Sequence, residues 1–141
     1  MERLLVLDTN VLVAALRSRR GSSFRLLERL GDGSFVPCVS VGLLFEYEAV
    51  LKRPEMGFAL SPSDVDDVLD YLVALSRRQE IHFLWRPTLR DPADDMVLEL
   101  AVAAGADRIV TFNTRDFAGS ESFGVRAVTP RVLLDELEGR S

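Results

Sequence analysis

The run Leu4-Leu5-Val6-Leu7 is apolar at every position, and Asp8-Thr9-Asn10 follows it at once, before a second apolar run from Val11 to Leu16. A strand with one face in water alternates polar and apolar residues. A short continuous run belongs instead to a strand covered on both faces, as in a parallel sheet sandwiched between helices. A carboxylate at the end of such a strand needs a reason, because an unpaired buried charge costs several kcal/mol or takes up a proton. Asp8 therefore belongs at the mouth of the sheet, where a cation or water meets it.

The rest of the chain repeats the strand–helix order. Val11 to about Arg17 reads as a short helix. Ser22 or Ser23 caps a second helix running to Leu30, which Gly31 and Gly33 stop. Phe35 to Val39 is the second strand, and Ser40 caps the helix "VGLLFEYEAVLKR", which ends before Pro54. "SPSDVDDVLDYLVALSRR" has serine caps, early aspartates and late arginines, so its spacing predicts a helix to Arg78. "IHFLW" reads as the third strand. "RDPADDMVLELAVAAG" opens a helix at Pro92 and closes it at Gly105. "RIVTF" and "VRAVT" are the fourth and fifth strands, and Thr129-Pro130 opens a last helix. This order predicts one α/β domain over residues 1–141, a three-layer α/β/α sandwich with a mostly parallel central sheet of about five strands. Ligands of such sheets bind outside the carboxyl ends of the strands. Asp8 and the segment Asn113 to Asp116 both fall there.

Composition narrows the functional classes. A net charge of −5 argues against a general nucleic-acid binder, although all but one of the basic residues are arginine, Lys52 being the exception. No apolar stretch approaches the ~18 residues of a membrane span. Glu2 and Asp8 interrupt any signal-peptide pattern, and the single Cys38 reads as a small core residue in a reducing, cytoplasmic setting.

Several acids converge on the predicted mouth. In the helix after Ser40, Glu46 and Glu48 flank the apolar face of Leu43, Leu44, Tyr47, Val50 and Leu51 symmetrically, and periodicity does not choose between them. In the helix after Asp91 the core face runs through Leu98, Ala101, Val102 and Gly105. Asp94 lies on that inner stripe, with Asp95 to one side as an acid favoured by the helix dipole. Clustered carboxylates with no histidine or cysteine beside them suit Mg²⁺ or Mn²⁺. The lone His82 reads as a strand residue. A cation so held polarises phosphoryl oxygen and activates water, which is the chemistry of phosphodiester hydrolysis.

"VLDTNVLVAAL", "SVGLLFEYEAVLKRPE" and "RDPADDMVLELAVAAGADRIVTFNTRDF" together resemble the PIN domain, in the group of toxin components of toxin–antitoxin pairs related to the VapC-like ribonucleases. The resemblance implies a metal-dependent endoribonuclease with Asp8, Glu46, Asp94 or Asp95, Asn113 and Asp116 in its active site. Asp8, Asp94 and Asp116 would hold Mg²⁺ or Mn²⁺, and Thr9, Asn10 and Thr111 would support them. It breaks the tie in favour of Glu46, six residues after Ser40. Asn113 departs from the pattern, since many members carry aspartate there, and Asp116 compensates. The implied partners are an RNA substrate and a cognate antitoxin. The wide apolar surface of the helix carrying Val65, Val68, Leu69, Leu72, Val73 and Leu75 offers a place for that antitoxin or for a homodimer. Two other readings compete. A haloacid-dehalogenase-type phosphatase would need an acid where Asn10 stands and a later lysine, and is set aside. A degenerate PIN module that binds RNA or a protein without cutting stays open because of Asn113.

Overall fold

The computed structural model describes residues 2–57, 60–81, 89 and 91–139. Along the chain come β1 (Leu4–Leu7), α1 (Thr9–Arg17), α2 (Ser22–Glu28), β2 (Val36–Val39), α3 (Val41–Leu51), α4 (Pro62–Ala74), β3 (Arg77–Arg78), α5 (Pro92–Ala104), β4 (Arg108–Val110), β5 (Arg126–Val128) and α6 (Pro130–Leu137). Short 3-10 turns occupy Pro54–Met56, Thr114–Phe117 and Ser120–Phe123.

The strands order as β3-β2-β1-β4-β5, and every pairing is parallel. The architecture is the expected α/β/α sandwich. Leu5, Val6 and Leu7 of the central strand are fully buried, which is what an apolar run without alternation requires. α5 packs over β1, β2 and β4, while α1 packs on α2 and α3, and α2 on α6.

This strand order places the site. From β1 the chain crosses to β2 on one side, while β4 lies on the other. The order thus reverses between β1 and β4, and the crevice of a doubly wound sheet opens at such a switch point, above the carboxyl ends. Backbone bonds continue the ladder into that crevice: Asp8 N–H donates to the Val110 carbonyl and Thr111 N–H to the Val128 carbonyl, both at 2.9 Å.

At the opposite, amino ends of the strands the arginines are engaged. Glu136 takes Arg3 and Arg108, and Glu138 takes Arg25 and Arg29. The arginine surplus is in part a fastening between α6, α2 and the start of the sheet.

Several boundaries differ from expectation. α1 starts at Thr9 rather than Val11, because the Asp8 side chain itself caps it. α2 is capped by the Gly21 backbone, with Ser22 and Ser23 inside the helix, and ends at Glu28 rather than Leu30. α4 has the predicted serine cap, a reciprocal Ser61–Asp64 capping box, but stops at Ala74. Arg77 and Arg78, expected in its last turn, instead pair as a strand with Cys38 and Val39, and Gln79 N–H extends the ladder to the Val39 carbonyl at 2.8 Å. A free edge on β2 outweighs the weak preference of arginine for a helix end. The two charged, exposed residues make a short edge strand of the kind that resists further pairing. The stretch "IHFLW" is therefore not where the third described strand lies: Ile81 is outside any strand, and 82–85, with His82, fall outside the described residues.

Gly105 ends α5 with φ of +73°, the left-handed conformation expected of a glycine C-cap. The buried stripe of α5 runs through Val97, Leu98, Leu100 and Ala101, not through Val102 and Gly105. Cys38 is buried in the core as expected. Among the described residues no helix is long and apolar enough to cross a membrane.

Candidate active site

Asp8 sits at the β1–α1 junction in an extended conformation, and both its oxygens are occupied. Oδ1 accepts the Thr9 N–H at 2.9 Å, capping α1. Oδ2 accepts the Thr111 hydroxyl at 2.7 Å and lies 3.4 Å from the Asn10 amide. Burial raises the pKa of Asp8, the hydrogen bonds from Thr111 and Thr9 pull it back, and the charges of Glu46 and Asp116 push it up again.

Thr111 is the hub of this network. It is fully buried just beyond β4, donates to Asp8, and accepts from Asn10 Nδ2 at 3.3 Å and from Asn113 N–H at 3.0 Å. Asn10 closes the ring by accepting the Phe112 N–H on its Oδ1 at 3.3 Å. The turns after β1 and β4 are thereby locked to each other.

The two glutamates of α3 part company. The Thr9 hydroxyl donates to Glu46 Oε2 at 3.2 Å, holding that carboxylate beside Asp8. Glu48 turns to Lys52 at 3.1 Å, which also reaches Asp66 at 2.7 Å. Between them Tyr47 points inward, fully buried, and donates its hydroxyl to the Leu7 carbonyl at 2.5 Å. Burial, with Asp8 and Glu46 adding to it, keeps that phenol protonated well above its ordinary range. From its spacing in the sequence Tyr47 reads only as a core residue. A buried tyrosine does need a partner for its hydroxyl, but nothing in the sequence names the carbonyl just before Asp8.

On α5, Asp94 and Asp95 also have separate surroundings. Asp95 Oδ1 accepts the Leu89 N–H at 2.9 Å, tying down the approach to the helix, while Asp91 caps it through Ala93 N–H. Asp94 is half-buried. Desolvation, followed by the charges of Asp8, Asp91, Asp116 and Asp95, pushes its pKa up from 3.8 to about 6. Asp116, exposed in the 3-10 turn Thr114–Phe117, acts on both Asp8 and Asp94. Asn113 begins that turn, exposed, with its carbonyl accepting Asp116 N–H at 3.0 Å.

Asp8, Glu46, Asp94 and Asp116 thus surround one mouth, with Asn113 beside them and Asp95 turned to the chain before its helix. The donor chemistry fits a hard divalent cation: every donor is an oxygen, and burial, with neighbouring acids adding to it, raises the pKa of Asp8 and of Asp94. Among the described residues, no three histidine, cysteine or acidic side chains converge closely enough to form a ready-made metal cage.

The crowding has a measurable consequence in metal-free protein. With its folded pKa near 6 and its unfolded value near 3.8, Asp94 binds its proton more tightly in the native state. Its contribution is complete below about pH 4 and is lost as pH rises through about 6. Solvent screening limits the loss to about 1 kcal/mol, and the helix dipole returns part of it. We expect Asp94→Asn to raise the melting temperature at pH 7 by about 2 °C and to flatten stability between about pH 4 and 6. Thermal melts across that range check it; an unchanged slope would show that the acids do not interact.

A sequence profile described as PIN domain matches residues 4–115, a span from β1 into the turn after β4 that stops one residue short of Asp116. Among curated proteins none matches the chain.

Proposed function

Because the chain belongs to the PIN-domain family, whose members are nucleases in general, we propose that it is a Mg²⁺- or Mn²⁺-dependent endoribonuclease that hydrolyses phosphodiester bonds in RNA. The observation that carries this reading is the network from Thr111 and Asn10 through Asp8 and Thr9 to Glu46, with Asp94 and Asp116 facing it. RNA is a polyanion, and four carboxylates at a cleft mouth repel it unless cations intervene. Asp8, Asp94 and Asp116 are the residues to which we assign the ion. Bound there, a divalent cation would polarise the phosphoryl oxygens and lower the pKa of water.

The chain's own residues do the rest. Thr111 and Asn10 hold Asp8 in one orientation. Thr9 holds Glu46, which we assign as the acceptor of the attacking water's proton. The neutral Asn113 steadies the leaving oxygen through its amide.

The test is cleavage of a mixed single-stranded RNA pool with Mg²⁺, Mn²⁺ or EDTA, run beside a thermal melt. Cleavage in either metal and none in EDTA is expected. A ligand that binds only the native state at about 100 times its Kd adds about 2.7 kcal/mol of stability, or roughly 8 °C for a chain of this size. No cleavage, together with no melting shift in millimolar Mg²⁺, would end this reading. Asn113 supports the second one, a module that binds RNA without cutting; metal-dependent RNA binding without cleavage is its signature.

The toxin assignment adds a protein partner. On α4, Val65, Leu69 and Leu72 are buried, and Leu75 packs against the core near Gly31, so most of the surplus apolar surface is taken up within the fold. What is left lies one helix away. Val41 and Phe45 of α3 stand well exposed beside Val73, along a groove rimmed by Glu48, Asp66 and Asp70. An antitoxin segment with apolar anchors and basic flanks would suit it. Acidic rims facing each other disfavour a homodimer through the same surface.

A further inference from the structure

We propose that Phe112 is a stacking platform for one unpaired nucleobase at the lip of the acidic mouth, so that single-stranded rather than paired RNA is presented to Asp8. The proposal rests on the ribonuclease reading and gives it a substrate subsite. Along β4 the chain is sealed: Ile109 and Val110 are fully buried, and so is Thr111. The next residue, Phe112, leaves 46% of its surface in water. Part of a large aromatic side chain is thus left open to a flat ligand immediately after a closed strand.

Its backbone is held on both sides by the groups that hold Asp8. Phe112 N–H donates to Asn10 Oδ1 at 3.3 Å, and the amide of the same Asn10 lies 3.4 Å from Asp8 Oδ2. The preceding Thr111 gives its hydroxyl to Asp8, and the following Asn113 N–H donates to that hydroxyl oxygen. The backbone that carries Phe112 and the Asp8 carboxylate therefore belong to one hydrogen-bonded unit. A base resting on the ring would be presented next to that unit.

The chemistry selects a base rather than another flat group. Every nucleobase has a π-face, stacking tolerates sequence, and a base offers its face to a side chain only when it is out of a duplex. Charge points the same way. Proteins that hold single strands usually combine aromatic stacking with a basic groove, and this chain carries −5 overall. Arg115, exposed on the following 3-10 turn, is available for one phosphate. With acids in excess overall, stacking supplies a larger share of the binding, and salt should weaken it only slightly.

The experiment uses a short single-stranded RNA carrying 2-aminopurine, whose emission falls on stacking. It is titrated against the full chain in Mg²⁺, in an Asp8→Asn background that slows turnover. The expected result is quenching with Phe112, retention with Phe112→Trp, and loss of quenching with binding weakened about tenfold or more in Phe112→Leu and Phe112→Ala. Melting temperatures should be unchanged, and binding to blunt duplex RNA should not depend on residue 112. Equal binding by Phe112→Leu and the parent would overturn the platform. Unchanged cleavage of single strands by Phe112→Ala in an otherwise native chain would also overturn it, while leaving the ribonuclease reading intact. Quenching that depends on Phe112 in a chain that cleaves nothing in any metal would sink the ribonuclease reading and keep the platform.

Discussion

Asp8→Asn is expected to slow cleavage of single-stranded RNA by about 10³-fold while the fold stays intact. Asp8 has two separable jobs. As the cap of α1, Asp8 needs only an oxygen that accepts the Thr9 N–H, and asparagine caps helices about as well as aspartate. With that oxygen kept as the cap, the new amide takes the place of Oδ2 and can donate to the Thr111 hydroxyl, which in the parent donates to Oδ2. Removing one charge from the crowded mouth also relieves repulsion, so the apo melting temperature should hold or rise. What asparagine lacks is the charge that holds a cation. Charge stabilisation by a bound cation is worth several kcal/mol in the transition state, and each ~1.4 kcal/mol is a factor of ten in rate. Initial rates on a labelled RNA, with circular dichroism to confirm folding, measure both halves. A variant that cleaves as fast as the parent would remove Asp8 from the chemistry, whatever the family resemblance.

Tyr47→Phe should cost about 1–3 kcal/mol of stability, a fall of roughly 3–9 °C in melting temperature for a chain of this size. The ring is fully buried and phenylalanine fills nearly the same space, so packing contributes little to the loss. The loss comes from the Leu7 carbonyl, whose hydrogen bond from the phenol is 2.5 Å long and lies in the dry interior. Because that carbonyl belongs to the residue before Asp8, the variant should also loosen the β1–α1 junction. Cleavage should then fall more than tenfold less than in Asp8→Asn, since no charge is removed. Thermal melts decide the first point: a variant as stable as the parent would mean the Leu7 carbonyl finds another donor.

Much of the frame was legible because single residues dictate it locally. The continuous apolar run of β1, the Ser40 cap of α3, the Ser61 cap of α4 and the Pro92 and Gly105 that bracket α5 act through their own backbone preferences, and all lie where local rules place them. The end of α4 was misread for the converse reason. Two arginines suit a helix C-terminus slightly, whereas the open edge of β2 offers hydrogen bonds, and Arg77 pairs there with Cys38, 39 residues earlier in the chain.

The chain by itself determined that an acid closes a buried central strand, that other acids follow at helix starts and strand ends, and that the topology sends them to one side of a parallel sheet. Those are consequences of short-range patterning and the handedness of strand–helix–strand crossovers. Which acids face each other was decided only in three dimensions. Glu46 and Glu48 flank the same apolar face on one helix; Thr9 draws in the first and Lys52 draws off the second. Asp94 and Asp95 are neighbours in one turn, yet Leu89 engages the second and the charges of Asp8 and Asp116 press on the first. A side chain's partner depends on what lies across a gap of a few ångströms, and Glu46 and Asp8 find theirs in residues 37 and 103 positions away, Thr9 and Thr111.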